Sequence, residues 1–213
     1  MRRSLTGAPI PVRSSAAGGD DTRVITAKYN IADRRDLETG SRLFFACRVE
    51  HITPMEMMIS VPVTGDIGDP VLVQVDRLGD LRGLVARRTR VGFVMSISAT
   101  PPERAKLKAK IDWFQKNRAR QVVNRRTHDR LTPSNPHSTL IFGDGSTHRC
   151  FVIDMSSSGA AVSANAAPDA GTALALGSVV GRVVRHLPNG FAIRFVNAID
   201  VAALEDLLIK PSI

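Results

Sequence analysis

A chain of 213 residues, 43% of them hydrophobic, can bury one large core or two small ones of roughly 100 residues each, which excludes disorder throughout. Two cysteines, Cys47 and Cys150, supply neither a disulfide framework nor a four-thiolate metal site, and no run approaches the roughly 20 apolar residues of a membrane-spanning helix, so a cytoplasmic protein is expected. The net charge of +9 is concentrated: residues 104 to 130 hold ten Lys/Arg against only Asp112 and Asp129, which calls either for an anionic partner or for a solvated basic helix face.

Residues 1–22 are a Ser/Ala/Gly-rich stretch whose paired arginine has no apolar run behind it, and they are expected to form a disordered tail rather than a signal. From 23 to 117 the pattern predicts β-structure followed by a helix. Runs at 42–50, 56–63, 71–76, 82–88 and 92–98 are rich in β-branched and apolar residues and are separated by turns such as Thr64-Gly65-Asp66 and Leu78-Gly79-Asp80. After Pro101-Pro102, Leu107, Ile111 and Phe114 recur at helical spacing with lysines on the other faces, while Trp113 is assigned to packing or interdomain contact. Residues 118–132 form a basic linker leading a second domain, 118–213. Its runs lie at 138–142, 148–154, 160–164, 172–176, 179–186 and 190–196, with Pro188-Asn189-Gly190 as a turn before the last. After Asp200 as N-cap, Val201, Leu204, Leu207 and Leu208 predict a second amphipathic helix.

The two halves are copies. Cys47 to Ser60 aligns without gaps on Cys150 to Ser163 at an offset of 103, and Gly83 to Phe93 aligns on Gly181 to Phe191 at an offset of 98. The five-residue difference falls between the blocks, where a loop absorbs it. Two matching blocks in the same order make a tandem repeat, and short strands at this spacing predict a small antiparallel barrel in each copy.

Candidate binding residues cluster around the start of the second copy. Arg125, Arg126 and Arg130 lie on the linker, where guanidinium groups can fold over a ligand, offering bidentate donors to phosphate and a flat face to a purine. Downstream, Asp154 presents two acceptors suited to the adjacent N1 and N2 donors of guanine, Ser156 adds a hydroxyl, and Gly159 permits close backbone approach. Together they fit a guanine nucleotide better than a generic polyanion.

Arg126-x-x-x-Arg130 followed by Asp154-x-Ser156-x-x-Gly159 resembles the paired signature of PilZ domains, the bacterial receptors for cyclic di-GMP. The resemblance covers about residues 120–200 and, through the repeat, extends more weakly to 23–100. It implies a mainly β fold with flanking α-helices: two tandem six-stranded antiparallel barrels, each followed by an amphipathic helix. It also implies that Arg126 and Arg130 contact the phosphates and guanines over a surface made by Asp154, Ser156 and Gly159. Arg125 adds a cation that in similar proteins favours two stacked ligand molecules. The first copy departs from the signature, with His51, Thr53 and Glu56 at the Asp, Ser and Gly positions and no matching arginine pair. A glutamate there opposes an anion, so the first domain is expected to be a scaffold or partner surface.

The resulting expectation is a non-enzymatic receptor without cofactor or metal, whose domains change arrangement on binding cyclic di-GMP and pass the signal to a downstream protein. Its outputs would be motility, exopolysaccharide or biofilm. Two alternatives stand beside it: a ligand-free adaptor of the same fold, and a nucleic-acid binder using 104–130. The second is disfavoured by the scarcity of aromatic residues for base stacking. The five histidines show no metal-ligand spacing with the cysteines, and no G-x-x-x-x-G-K-[ST] loop occurs.

Overall fold

Alternation of inward apolar and outward polar side chains closes each half of the chain into a barrel. The computed structural model describes residues 25–36, 39–117 and 130–209; the expected tail and most of the basic linker lie outside them. The first barrel comprises β1 (Ile25–Ile31), β2 (Phe45–Ile52), β3 (Glu56–Ser60), β4 (Pro70–Val75), β5 (Gly79–Arg88) and β6 (Gly92–Ile97), closed in the order β1-β2-β3-β6-β5-β4. The second comprises β7 (His137–Phe142), β8 (Thr147–Ser156), β9 (Gly159–Ala164), β10 (Ala173–Leu176), β11 (Val179–Leu187) and β12 (Gly190–Phe195), closed in the equivalent order. Every neighbouring pair is antiparallel. The five sequence runs of the first copy omit β1, the strand that pairs with both β2 and β4 and so completes the barrel. Its inward residues Tyr29 and Ile31 are fully buried, and Tyr29 Oη donates to Val63 O at 2.5 Å.

The repeat holds to the level of strand irregularities. A β-bulge interrupts the β2–β3 register between Val49 and His51 and the β8–β9 register between Val152 and Asp154, 103 residues apart. A second pair of bulges, between Val85 and Arg87 and between Val183 and Arg185, is 98 apart. Phe93, Met95 and Ile97 of the first core are matched by Phe191, Ile193 and Phe195 of the second, all buried. Gly92 and Gly190 occupy equivalent close approaches: a Cβ would lie 2.1 Å from Ile59 O in one and 1.9 Å from Val162 O in the other. Any side chain there would push two strands apart. Cys47 and Cys150 are equivalent core residues; burial raises both thiol pKa values, that of Cys150 to about 12, which makes them poor nucleophiles.

At the start of helix α1 (Pro101–Asn117), Glu103 reaches back to the residue preceding the helix: its Oε2 accepts from Thr100 N and Thr100 Oγ1, both at 2.8 Å. Leu107 and Ile111 are buried in the first core, whereas Trp113 is 53% exposed beside Leu78 and Phe114. The second helix is much shorter than the spacing predicts. A 3-10 turn, Val201–Ala203, capped by Asp200 through Ala202 N, leads into α2 (Leu204–Leu208), only five residues long. Leu204 and Leu208 are buried, but Val201 and Leu207 are exposed. Ser178 Oγ and Ser138 Oγ both donate to carbonyls of this element, tying it to the barrel.

The barrels meet through equivalent faces. Ala46 N donates to Ser163 Oγ at 2.9 Å, and Ser60 Oγ lies 2.8 Å from His137 Nε2; Ser60 and Ser163 are repeat partners. Arg48 and Phe151, also repeat partners, are both buried at this contact.

Candidate functional site

The bulge at Ile153 shifts the pleat of β8 so that Met155 points into the core while Asp154 and Ser156 face outward near the β8–β9 turn. The chain entering the second barrel is pinned alongside: Leu131 and Met155 form an antiparallel bridge, with N–H···O bonds of 2.8 and 2.9 Å in the two directions. That bridge sets Arg130 against the outer face of β8. Its Nη1 donates to Asp154 Oδ1 at 2.6 Å, with the arginine side chain 41% and the aspartate side chain 25% exposed. An ion pair this open contributes little to stability, about 1 kcal/mol or less.

Four of the sequence-identified residues, Arg130, Asp154, Ser156 and Gly159, thus come together at one end of the second barrel. Arg125 and Arg126 lie outside the described residues, as does His128. Two of these residues have a structural role of their own within the barrel. Ser156 Oγ donates to Gly159 O at 3.2 Å across the turn, and Thr53 Oγ1 makes the same bond to Glu56 O at 3.2 Å in the first copy. The hydroxyl therefore stabilises the hairpin in both barrels. Gly159 is required by its own barrel: a Cβ would sit 2.3 Å from Ile193 O of β12. The first copy accommodates Glu56 at that position opposite Ser96.

Sequence reasoning missed Arg48. This arginine of the first barrel is only 6% exposed, and its Nη2 and Nη1 donate to Pro133 O and Ser134 O at 2.6 and 2.8 Å. The same turn is held from the other side by Glu205, whose Oε1 accepts from Ser134 N at 2.7 Å and Asn135 N at 3.3 Å. Burial lowers the Arg48 pKa, opposed by the charges of Glu50 and Glu205. Nothing in a lone arginine on a strand announces a contact 85 residues away; only the docking of the barrels brings it there. His137 beside it has its pKa lowered by burial and by Arg48 and Arg149. Among the described residues no group of three or more His, Cys, Asp or Glu is placed to hold a metal, and no helix is long and apolar enough to cross a membrane.

Residues 124–210 match the family model of the PilZ domain. No curated protein matches the sequence. Among solved structures, the chain is similar to the Borreliella burgdorferi PlzA protein in complex with c-di-GMP, at 14% identity over 88% of this chain and 87% of that one, with a TM-score of 0.29. It is also similar to the Bacillus subtilis inhibitor of motility MotI/DgrA, at 13% identity over 86% and 92% with a TM-score of 0.27. A third is YcgR from Escherichia coli in complex with c-di-GMP, at 12% identity over 87% and 80% with a TM-score of 0.25. Residues 124–210, which include the second barrel, are a PilZ domain.

Proposed function

We propose that this PilZ protein is a receptor for cyclic di-GMP whose second barrel binds the nucleotide and whose first barrel serves as scaffold and output surface. The observation that carries this is the exposed Arg130–Asp154 ion pair at the barrel rim, in which a phosphate-gripping cation and a guanine-reading carboxylate already touch at 2.6 Å. Ligand exchanges that contact: Arg130 turns to phosphate with Arg125 and Arg126, and Asp154 accepts from guanine N1 and N2. Ser156 and Gly159 shape the turn beneath.

Binding draws Arg130 toward the ligand, and the Pro133–Ser134 turn lies three residues beyond it, in the grip of Arg48. Tension or release at that turn biases the docking of the first barrel, so that a downstream protein controlling motility, exopolysaccharide or biofilm reads a changed surface. A ligand shifts such an equilibrium only by its differential affinity for the two arrangements. The protein acts by binding rather than by catalysis, in the cytoplasm. Calorimetric titration with cyclic di-GMP beside GTP, GMP and a short RNA tests this. Selective heat with the cyclic dinucleotide is expected; heat with RNA alone would make the chain a nucleic-acid binder, and silence with all four would leave an adaptor.

A further inference from the structure

The strand register around Gly159 reveals a row of outward positions that runs across the barrel wall. Ser156 pairs with Gly159, Gly159 with Arg194 of β12, and Arg194 with Arg182 of β11. The Leu131–Met155 bridge extends the same antiparallel register on the other side and sets Arg130 beside Ser156. Arg130 and Arg194 therefore flank a floor made of a serine and a glycine, about 14 Å apart at their Cα atoms, or three strand spacings. Their long side chains can close over that floor from opposite sides.

Three observations single out Arg194. Its neighbours Ile193 and Phe195 are buried in the core, so it faces outward, and it is exposed. It stands directly opposite Arg182, a like-charge pairing that destabilises a sheet. Arg182 turns away to Gly171 O at 3.1 Å, while among the described residues the Arg194 guanidinium has neither ion pair nor hydrogen bond. The first barrel, moreover, has the same row with the charge reversed: Glu56 pairs with Ser96, and Ser96 with Leu84, where the second has Gly159, Arg194 and Arg182. The copy that lost the glycine and aspartate of the site also lacks these two arginines.

We infer that Arg194 is a further ligand-binding residue, the second arm of an anion grip whose first arm is Arg130, and that it takes the phosphodiester on the far side of a cyclic purine dinucleotide lying over Ser156 and Gly159. This rests on the receptor assignment above. A ligand with two phosphates engages both arms, whereas a mononucleotide engages one, so Arg194 adds selectivity for the dinucleotide.

The test is calorimetry of the full chain with cyclic di-GMP for wild type, Arg194→Ala, Arg194→Gln and Arg182→Ala, each checked by thermal melting. Arg194→Ala and Arg194→Gln are expected to weaken binding at least tenfold, while Arg182→Ala changes it less than threefold. Both Arg194 variants should melt at or above the wild-type temperature, because a like-charge contact is relieved; a merely structural arginine would lower it. Wild-type binding with both Arg194 variants within twofold of it would overturn the inference and leave the receptor assignment standing. Absence of wild-type binding would overturn both.

Discussion

Replacing Arg48 with alanine is the sharpest probe of how the two barrels communicate. The substitution removes charge-assisted hydrogen bonds to Pro133 O and Ser134 O, each worth about 1.5–3 kcal/mol. Offsetting this, the wild-type guanidinium is buried and its Nε has no partner among the described residues, so part of the gain is cancelled by desolvation. A net loss of about 2–4 kcal/mol in docking free energy follows. With a urea slope of about 2 kcal/mol/M, the docking-coupled transition shifts down by about 1–2 M. Equilibrium urea unfolding followed by intrinsic fluorescence and by circular dichroism measures it. Trp113 reports on the first domain and the backbone signal on both, so loss of coupling appears as two transitions that no longer coincide. Arg48→Met keeps most of the stem volume and removes the same bonds, and it should behave like alanine. If methionine retains wild-type stability, stem packing rather than the carbonyl grip holds the barrels. If neither variant moves the midpoint, the coupling argument is wrong.

Further expectations concern the ligand, the degenerate copy, pH and strand contact. Arg130→Ala should lower cyclic di-GMP affinity at least tenfold by calorimetry, since one charge-assisted bond of about 1.5–3 kcal/mol is lost; Asp154→Ala should weaken binding and narrow the preference for guanine over adenine cyclic dinucleotides. Glu56→Ala in the first barrel should leave affinity unchanged, and a marked rise would show that the first copy is a masked site. Burial and the charges of Arg48 and Arg149 lower the His137 pKa in the fold, so it lies below the unfolded value, about 6.5. Above that pH both states are neutral and its contribution is flat; as pH falls below it the unfolded state takes up the proton first and stability drops until the folded pKa is passed. Chemical denaturation between pH 7.5 and 5 should show this slope in wild type and a shallower one in His137→Gln. Gly190→Ala, whose Cβ would meet Val162 O at 1.9 Å, should cost about 3 kcal/mol or more and be visible as a large fall in melting temperature.

Much of the architecture was legible because it is written in local pattern. Six strand runs of the second copy are found where turn residues bound them, and the repeat offsets of 103 and 98 reappear as paired bulges and paired glycine contacts. Strand β1 was legible but unread: Ile25, Ala27, Tyr29 and Ile31 alternate with Thr26, Lys28 and Asn30, the period-2 pattern of a half-buried strand. The second helix was begun too early because Val201 shares the apolar spacing of the leucines, whereas Val201–Ala203 forms a 3-10 turn and only Leu204–Leu208 is α-helical.

At the candidate site, residue types alone pointed to Arg130, Asp154, Ser156 and Gly159, since a signature couples chemistry to spacing along one chain. What each does locally was beyond reach of the sequence: Ser156 bonds its own hairpin and Gly159 admits its own neighbouring strand. Arg48 and Arg194 stayed invisible for a related reason. Which residues face one another across strands depends on register and on how two barrels dock, and both are settled by the sum of many contacts distant in sequence. Composition and periodicity determine that this chain forms two small barrels and carries an arginine-rich approach to the second; only the closed sheets decide which arginines share a surface.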